Sequence, residues 1–123
     1  MGADAADWAR PVVHWELHAR DPQILRAFYS ALFHWDIADG FIMGVPAGLG
    51  GPEPGPNGHI IAAGEGMPTG FGLFVQVLDI PASLTHTEEL GGSIAGAPFD
   101  VPGGPTICTI LDPEGNRITL VQQ

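Results

Sequence analysis

Val12–His18 alternates, with Val13, Trp15 and Leu17 apolar and His14, Glu16 and His18 polar. Successive strand side chains point to opposite faces, so this period marks a half-buried strand. Asp21-Pro22 follows, an N-cap residue and a proline suited to a first helical turn. Ile24, Leu25, Phe28, Tyr29, Leu32 and Phe33 then recur three and four apart. That is the spacing of an amphipathic helix with a broad apolar face. The face is expected to pack on the side of the strand that carries Val13, Trp15 and Leu17. Trp35–Ile37 and Phe41–Val45 read as short strands around Asp39-Gly40, and His59–Ala63 as another. Pro46–Gly58 holds too much Gly and Pro for a regular element and reads as a long loop, a lid or a contact surface.

The order then repeats. Phe71–Val77 is a strand with Leu73, Val75 and Val77 on one side and Gly72, Phe74 and Gln76 on the other. Asp79-Ile-Pro opens a second helix that runs to Leu90, and Gly91-Gly92 stops it. Ser93–Ala95, Pro98–Val101, Thr106–Leu111 and Arg117–Val121 are strand-like. Asp112-Pro-Glu-Gly-Asn116 is a turn sequence that joins the last two as a hairpin. The two opening strands lie about 58 residues apart, and a repeated strand–helix–strands order predicts a pseudo-symmetric pair of units. The organisation is a lead-in over 1–11 and one domain over 12–123. That domain comprises a module 12–63, a linker 64–70 and a module 71–123. Each module is too small to bury its own sheet. The two therefore pack together, within one chain or across two.

Composition narrows the chemistry. The chain of 123 residues carries a formal charge of −10, and all four of its cationic residues are Arg. The lack of Lys excludes a Schiff-base or P-loop lysine, and no cations cluster to neutralise phosphates, so nucleic acid is not an expected partner. No apolar run approaches the roughly 20 residues of a transmembrane helix, and the acidic start lacks a signal-peptide core. With Cys108 as the single cysteine, no internal disulfide forms, which fits a reducing, cytoplasmic setting. Cys108 sits inside an apolar strand and reads as a small buried hydrophobe.

Strand parity selects the candidate site. His14, Glu16 and His18 share the face turned away from the helix, and Phe74 and Gln76 share the corresponding face of the second opening strand. Thr119 joins them if Ile118 and Leu120 pack outward. Aromatic and polar groups together suit a small organic ligand. His14 and Glu16 are the acid/base candidates, although a carboxylate beside an imidazole is also a common structural pair. His34, His59 and His86 read as solvated. As metal ligands, His14, Glu16 and His18 step about 7 Å apart along a strand, so the outer two span about 13 Å, too far to share an ion without a bulge.

The run Val13-His14-Trp-Glu-Leu, with Asp21-Pro22, Phe28-Tyr29, Leu32-Phe33 and Trp35, resembles the opening of vicinal-oxygen-chelate domains (the glyoxalase, bleomycin-resistance and dioxygenase superfamily). Phe74–Asp79, Leu90-Gly91-Gly92 and Asp112–Asn116 with Ile118-Thr119-Leu120 resemble its second half. The resemblance implies an α+β fold of two βαβββ modules forming a curved, incomplete barrel around a cavity. It also implies four metal-ligand positions. His14 falls on the first, but Ile61-Ala62, Gly72 or Leu73, and Thr119 occupy the others, where the family's metal enzymes carry ligands. A catalytic ion normally needs three protein ligands. The expectation is therefore a small-molecule-binding domain of the bleomycin-resistance kind with a degenerate metal site and no cofactor; His14 is the best single ligand if a metal is bound. Ligand contacts are expected from His14, Glu16, His18, Phe74, Gln76 and Thr119. The alternatives are an isomerase, epimerase, lyase or dioxygenase that uses His14 and Glu16 as acid/base or partial ligands, and an interaction module with a collapsed cavity. Members of such families commonly dimerise, and exposed strand edges favour self-pairing, so a homodimer is expected.

Overall fold

A computed structural model describes residues 9–46 and 55–123. Residues 1–8 of the expected lead-in and 47–54 of the Gly/Pro-rich loop lie outside the described residues. The architecture is mixed α+β. The order is β1 (Val12–Ala19), α1 (Pro22–Phe33), β2 (Ile42–Val45), β3 (Gly58–Ala62), β4 (Gly70–Gln76), α2 (Ile80–Glu89), β5 (Ser93–Ile94), β6 (Phe99–Asp100), β7 (Thr106–Leu111) and β8 (Arg117–Gln122). The chain divides into two compact units. One is His14–Gly72; the other joins the segment up to Val13 with Leu73–Gln123.

In the His14–Gly72 unit, β3 runs parallel to β1 and antiparallel to β2. Asp21 caps α1 by accepting the Ile24 N–H at 3.2 Å, and Pro22 follows in the first turn. The helix closes at His34, whose left-handed backbone (φ 59°) lets its N–H reach the Ser30 carbonyl. Leu17, Ala19, Ile37, Met43, Val45 and Ile60 form the core, with Trp15, Leu25, Tyr29 and Trp35 against it. Burying such aliphatic side chains contributes about 1.5–3 kcal/mol each. Trp15 and Leu17 thus face the helix, as the alternation predicts, joined by Ala19, whereas Val13, 39% exposed, lies outside that core.

Two expectations are corrected in this unit. Trp35–Ile37 is not a strand: the Ile37 carbonyl accepts from Arg26 Nε at 2.9 Å while its side chain enters the core. The apolar face of α1 is also divided. Leu25 and Tyr29 pack inward, but Ile24, Phe28, Leu32 and Phe33 are 64, 55, 56 and 50% exposed. The six side chains spread over a wider arc of the helix than the sheet beneath it covers.

In the other unit, β4 runs parallel to β8, β8 pairs antiparallel with β7, and β5 and β6 both pair with β7. Asp79 caps α2 by accepting the Ala82 N–H at 3.0 Å. Beyond Leu90, Gly91 takes φ 95°, a left-handed exit open to glycine. Val77, Ile80, Cys108 and Leu120 are the core, joined by Leu84, Ile110 and Ile118. Cys108 Sγ lies 3.3 Å from the Gly96 carbonyl, and burial pushes its thiol pKa up. The β7–β8 hairpin is tied by Asp112, which accepts from Asn116 Nδ2 and from the backbone N–H groups of Glu114 and Asn116. These bonds, the Asn116 side chain first, hold its carboxyl below the usual range. Among the described residues, no helix is long and apolar enough to cross a membrane.

Candidate functional site

The site begins with a register. Trp15 pairs with Gly58 and Glu16 with His59 across the β1–β3 ladder. Gly58 has no side chain because the Trp15 indole occupies the place where a Cβ would stand. Ile60, wholly buried, turns into the core. His59, one residue earlier, therefore turns to the opposite face, beside Glu16.

Four side chains meet there. Glu16, only 8% exposed, places Oε2 3.2 Å from His59 Nε2 and Oε1 3.0 Å from His18 Nε2. His14 Nε2 lies 2.7 Å from His59 Nδ1. An ionised carboxylate only accepts, so His18 and His59 each present N–H at Nε2. A neutral His59 then accepts at Nδ1, which fixes His14 as the Nε2–H tautomer. With both rings protonated, two N–H groups would face each other at 2.7 Å, and the bond would be lost.

Desolvation lowers the pKa of His14, positive charge on His59 lowers it further, and Glu16 partly offsets both. A histidine with a lowered pKa binds fewer protons folded than unfolded between its folded value and the ordinary one near 6.5. Stability therefore falls as pH drops from about 6.5 through that window and levels off below it. The expected result is a lower Tm at pH 5 than at pH 7.5, with the difference reduced in His14→Asn. An equal pH response in wild type and His14→Asn would contradict this.

The structure brings His14, Glu16 and His18 together, as strand parity predicts. His59 is the correction: it is not solvated, and its side chain is only 14% exposed. Phe74, Gln76 and Thr119 belong to the other unit, where Phe74 pairs with Thr119 and Gln76 with Val121. Ile118 pairs with Leu73 and Leu120 with Val75 on the α2 side, so Phe74, Gln76 and Thr119 share the face turned from that helix. Thr119, 2% exposed, lies Oγ1 to Oγ1 at 3.0 Å from Thr109. His34 and His86 are exposed.

The sequence profile of a glyoxalase-like domain matches residues 4–121. The chain belongs to the glyoxalase-like domain family. The CFP32 proteins of Mycobacterium tuberculosis and Mycobacterium bovis, provisionally named glyoxylases, are 28% identical to it over 116 residues. That match covers 87% of the chain and 43% of the mycobacterial proteins, so the chain spans less than half their length. A glyoxalase/bleomycin resistance protein/dioxygenase superfamily member from Vibrio splendidus shares the fold at a TM-score of 0.62 and 14% identity, covering 93% of this chain and 98% of that one. The Mn(II)-bound glyoxalase of Novosphingobium aromaticivorans does so at 0.65 and 13%, covering 99% of this chain and 41% of that one.

Of the four positions at which the family resemblance places metal ligands, His14 alone carries a strong ligand side chain. His14 Nε2 is engaged with His59, Ile61, Ala62, Gly72 and Leu73 offer no donor side chain, and the Thr119 hydroxyl is engaged with Thr109. Among the described residues, no group of three or more His, Cys, Asp or Glu side chains is arranged to hold an ion.

Proposed function

We propose that this glyoxalase-like domain binds a small organic molecule through the polar face of β1 and β3, without a metal ion, and acts as a cytoplasmic homodimer. The observation that carries this reading is the buried Glu16 carboxylate, each oxygen of which faces an imidazole. A buried charge so compensated is rigid, and a rigid polar cluster is a preformed set of contacts for a ligand. His14, Glu16 and His18 make those contacts. The chain's charge of −10 favours a neutral or cationic ligand.

The His14–His59 link supports a second reading, an isomerase or lyase that moves a proton on such a ligand. There His14 is the acid/base group, while Glu16 and His59 set its tautomer. General acid–base groups of this kind contribute about 10²–10⁴-fold to a rate.

A thermal-shift screen of small polar and aromatic molecules tests the binding reading. A ligand at 100 times its Kd raises stability by about 2.7 kcal/mol. The expected hit shifts the wild-type Tm, and His14→Gln and Glu16→Gln lose most of that shift while remaining folded. Stoichiometric divalent metal retained through purification would overturn the metal-free reading. A full shift in both variants would overturn the assignment of the site.

A further inference from the structure

We infer that the groove beside the first turn of α1 binds a free α-amino acid with an apolar side chain, Arg20 taking its carboxylate and Asp21 its ammonium group. The groove lies wholly within the His14–Gly72 unit and measures about 400 Å³. Small-molecule pockets occupy roughly 300–1,000 Å³. Its apolar lining includes Leu17, Ile24, Leu25 and Phe71. Leu17 and Leu25 belong to the core, but Ile24 and Phe71 are 64 and 60% exposed. The Phe71 ring stands 6.0 Å from that of Trp15, centroid to centroid, a contact that holds it as a wall. An apolar ligand body covers this surface.

The charged part of the lining selects the rest of the ligand. Ala19 ends β1 and Pro22 opens α1, so Arg20 and Asp21 form the turn between them. Both line the groove. Arg20 Nη2 donates to the Met67 carbonyl at 3.3 Å, which leaves the other donors of the guanidinium for a ligand. Their fork matches a carboxylate. Asp21 Oδ1 accepts the Ile24 N–H, and Oδ2 has no partner among the described residues. That oxygen can accept from an ammonium group in a charge-assisted bond. His18 also lines the groove, but its Nε2–H is given to Glu16. A cation and an anion on adjacent residues fit a ligand that carries both charges on one carbon, as an α-amino acid does. A simple carboxylate would be opposed by Asp21 and by the chain's charge of −10, and a simple amine by Arg20. The zwitterion is neutral overall and satisfies both side chains.

Isothermal titration calorimetry on the purified chain, with circular dichroism as the folding check, tests this. L-phenylalanine and L-leucine are expected to bind with a Kd of about 1 mM or tighter, within reach of ligands of this size. N-acetyl-L-phenylalanine lacks the ammonium group and L-phenylalaninamide the carboxylate, so each should bind at least about tenfold more weakly. Arg20→Ala and Asp21→Asn should weaken L-phenylalanine as much. Asn caps a helix as well as Asp does, so the second variant keeps α1. Phe41→Ala, at a site 79% exposed and outside the groove, should change the Kd less than twofold. No binding of either amino acid up to about 10 mM, an analogue as tight as its parent, or undiminished binding in Arg20→Ala or Asp21→Asn would overturn the inference. The Glu16 site is read through variants of His14 and Glu16, so either ligand can fail without the other.

Discussion

Glu16→Ala should destabilise the folded chain by about 3 kcal/mol and abolish the tautomeric order of the cluster. Both carboxylate oxygens are in use, and removing them leaves the Nε2–H groups of His18 and His59 facing a void. An unsatisfied buried donor costs about 1–3 kcal/mol. Urea unfolding measures the loss; a change under about 1 kcal/mol would show that the carboxylate is dispensable. Glu16→Gln is a finer probe. Its amide nitrogen can only donate, so one of the two imidazoles must turn an acceptor nitrogen toward it. If that ring is His59, its proton moves to Nδ1 and His14 switches to the Nδ1–H form. Imidazole 15N shifts report this reversal directly, and a merely structural carboxylate would leave the tautomer of His14 unchanged.

Gly58→Ala should cost about 3 kcal/mol, at the upper end for overpacking. The added methyl would stand inside the Trp15 ring. That ring is bounded by Trp35 and Phe71 at centroid distances of 5.6 and 6.0 Å, so it has little room to retreat. Displacement of Trp15 would also shift the β1–β3 register that sets Glu16 beside His59. Denaturant unfolding followed by tryptophan fluorescence would show both the lower midpoint and an altered native spectrum. A variant with wild-type stability and spectrum would mean that the strands part more easily than their ladder indicates.

Much of this was legible before any coordinates. A period of two along Val12–His18 separates Trp15 and Leu17 from His14, Glu16 and His18, because strand geometry enforces alternation wherever one face is buried. The helix caps at Asp21 and Asp79 and the Asp112 hairpin are local chemistry, and local chemistry is written in adjacent residues. His59 escaped because its strand is only five residues long and Ile60 and Ile61 are both apolar, so parity there does not say which face His59 takes. Its partner His14 is 45 residues away, and no periodicity reports a contact at that range. The exposure of Ile24, Phe28 and Leu32 escaped for a different reason. Helical spacing gives the width of an apolar arc but not the width of the sheet that receives it. Trp35–Ile37 has the composition of a strand, yet Arg26 takes the Ile37 carbonyl that a ladder would need.

The parallel pairings have a bearing on biosynthesis. In each half the opening strand pairs in parallel with the closing one, β1 with β3 and β4 with β8. On the ribosome, β1 and α1 therefore emerge and wait, since loop closure must precede any reward from the ladder. The cluster of Glu16 with His14, His18 and His59 is among the last things the first module assembles, and its formation marks the moment at which that module is complete.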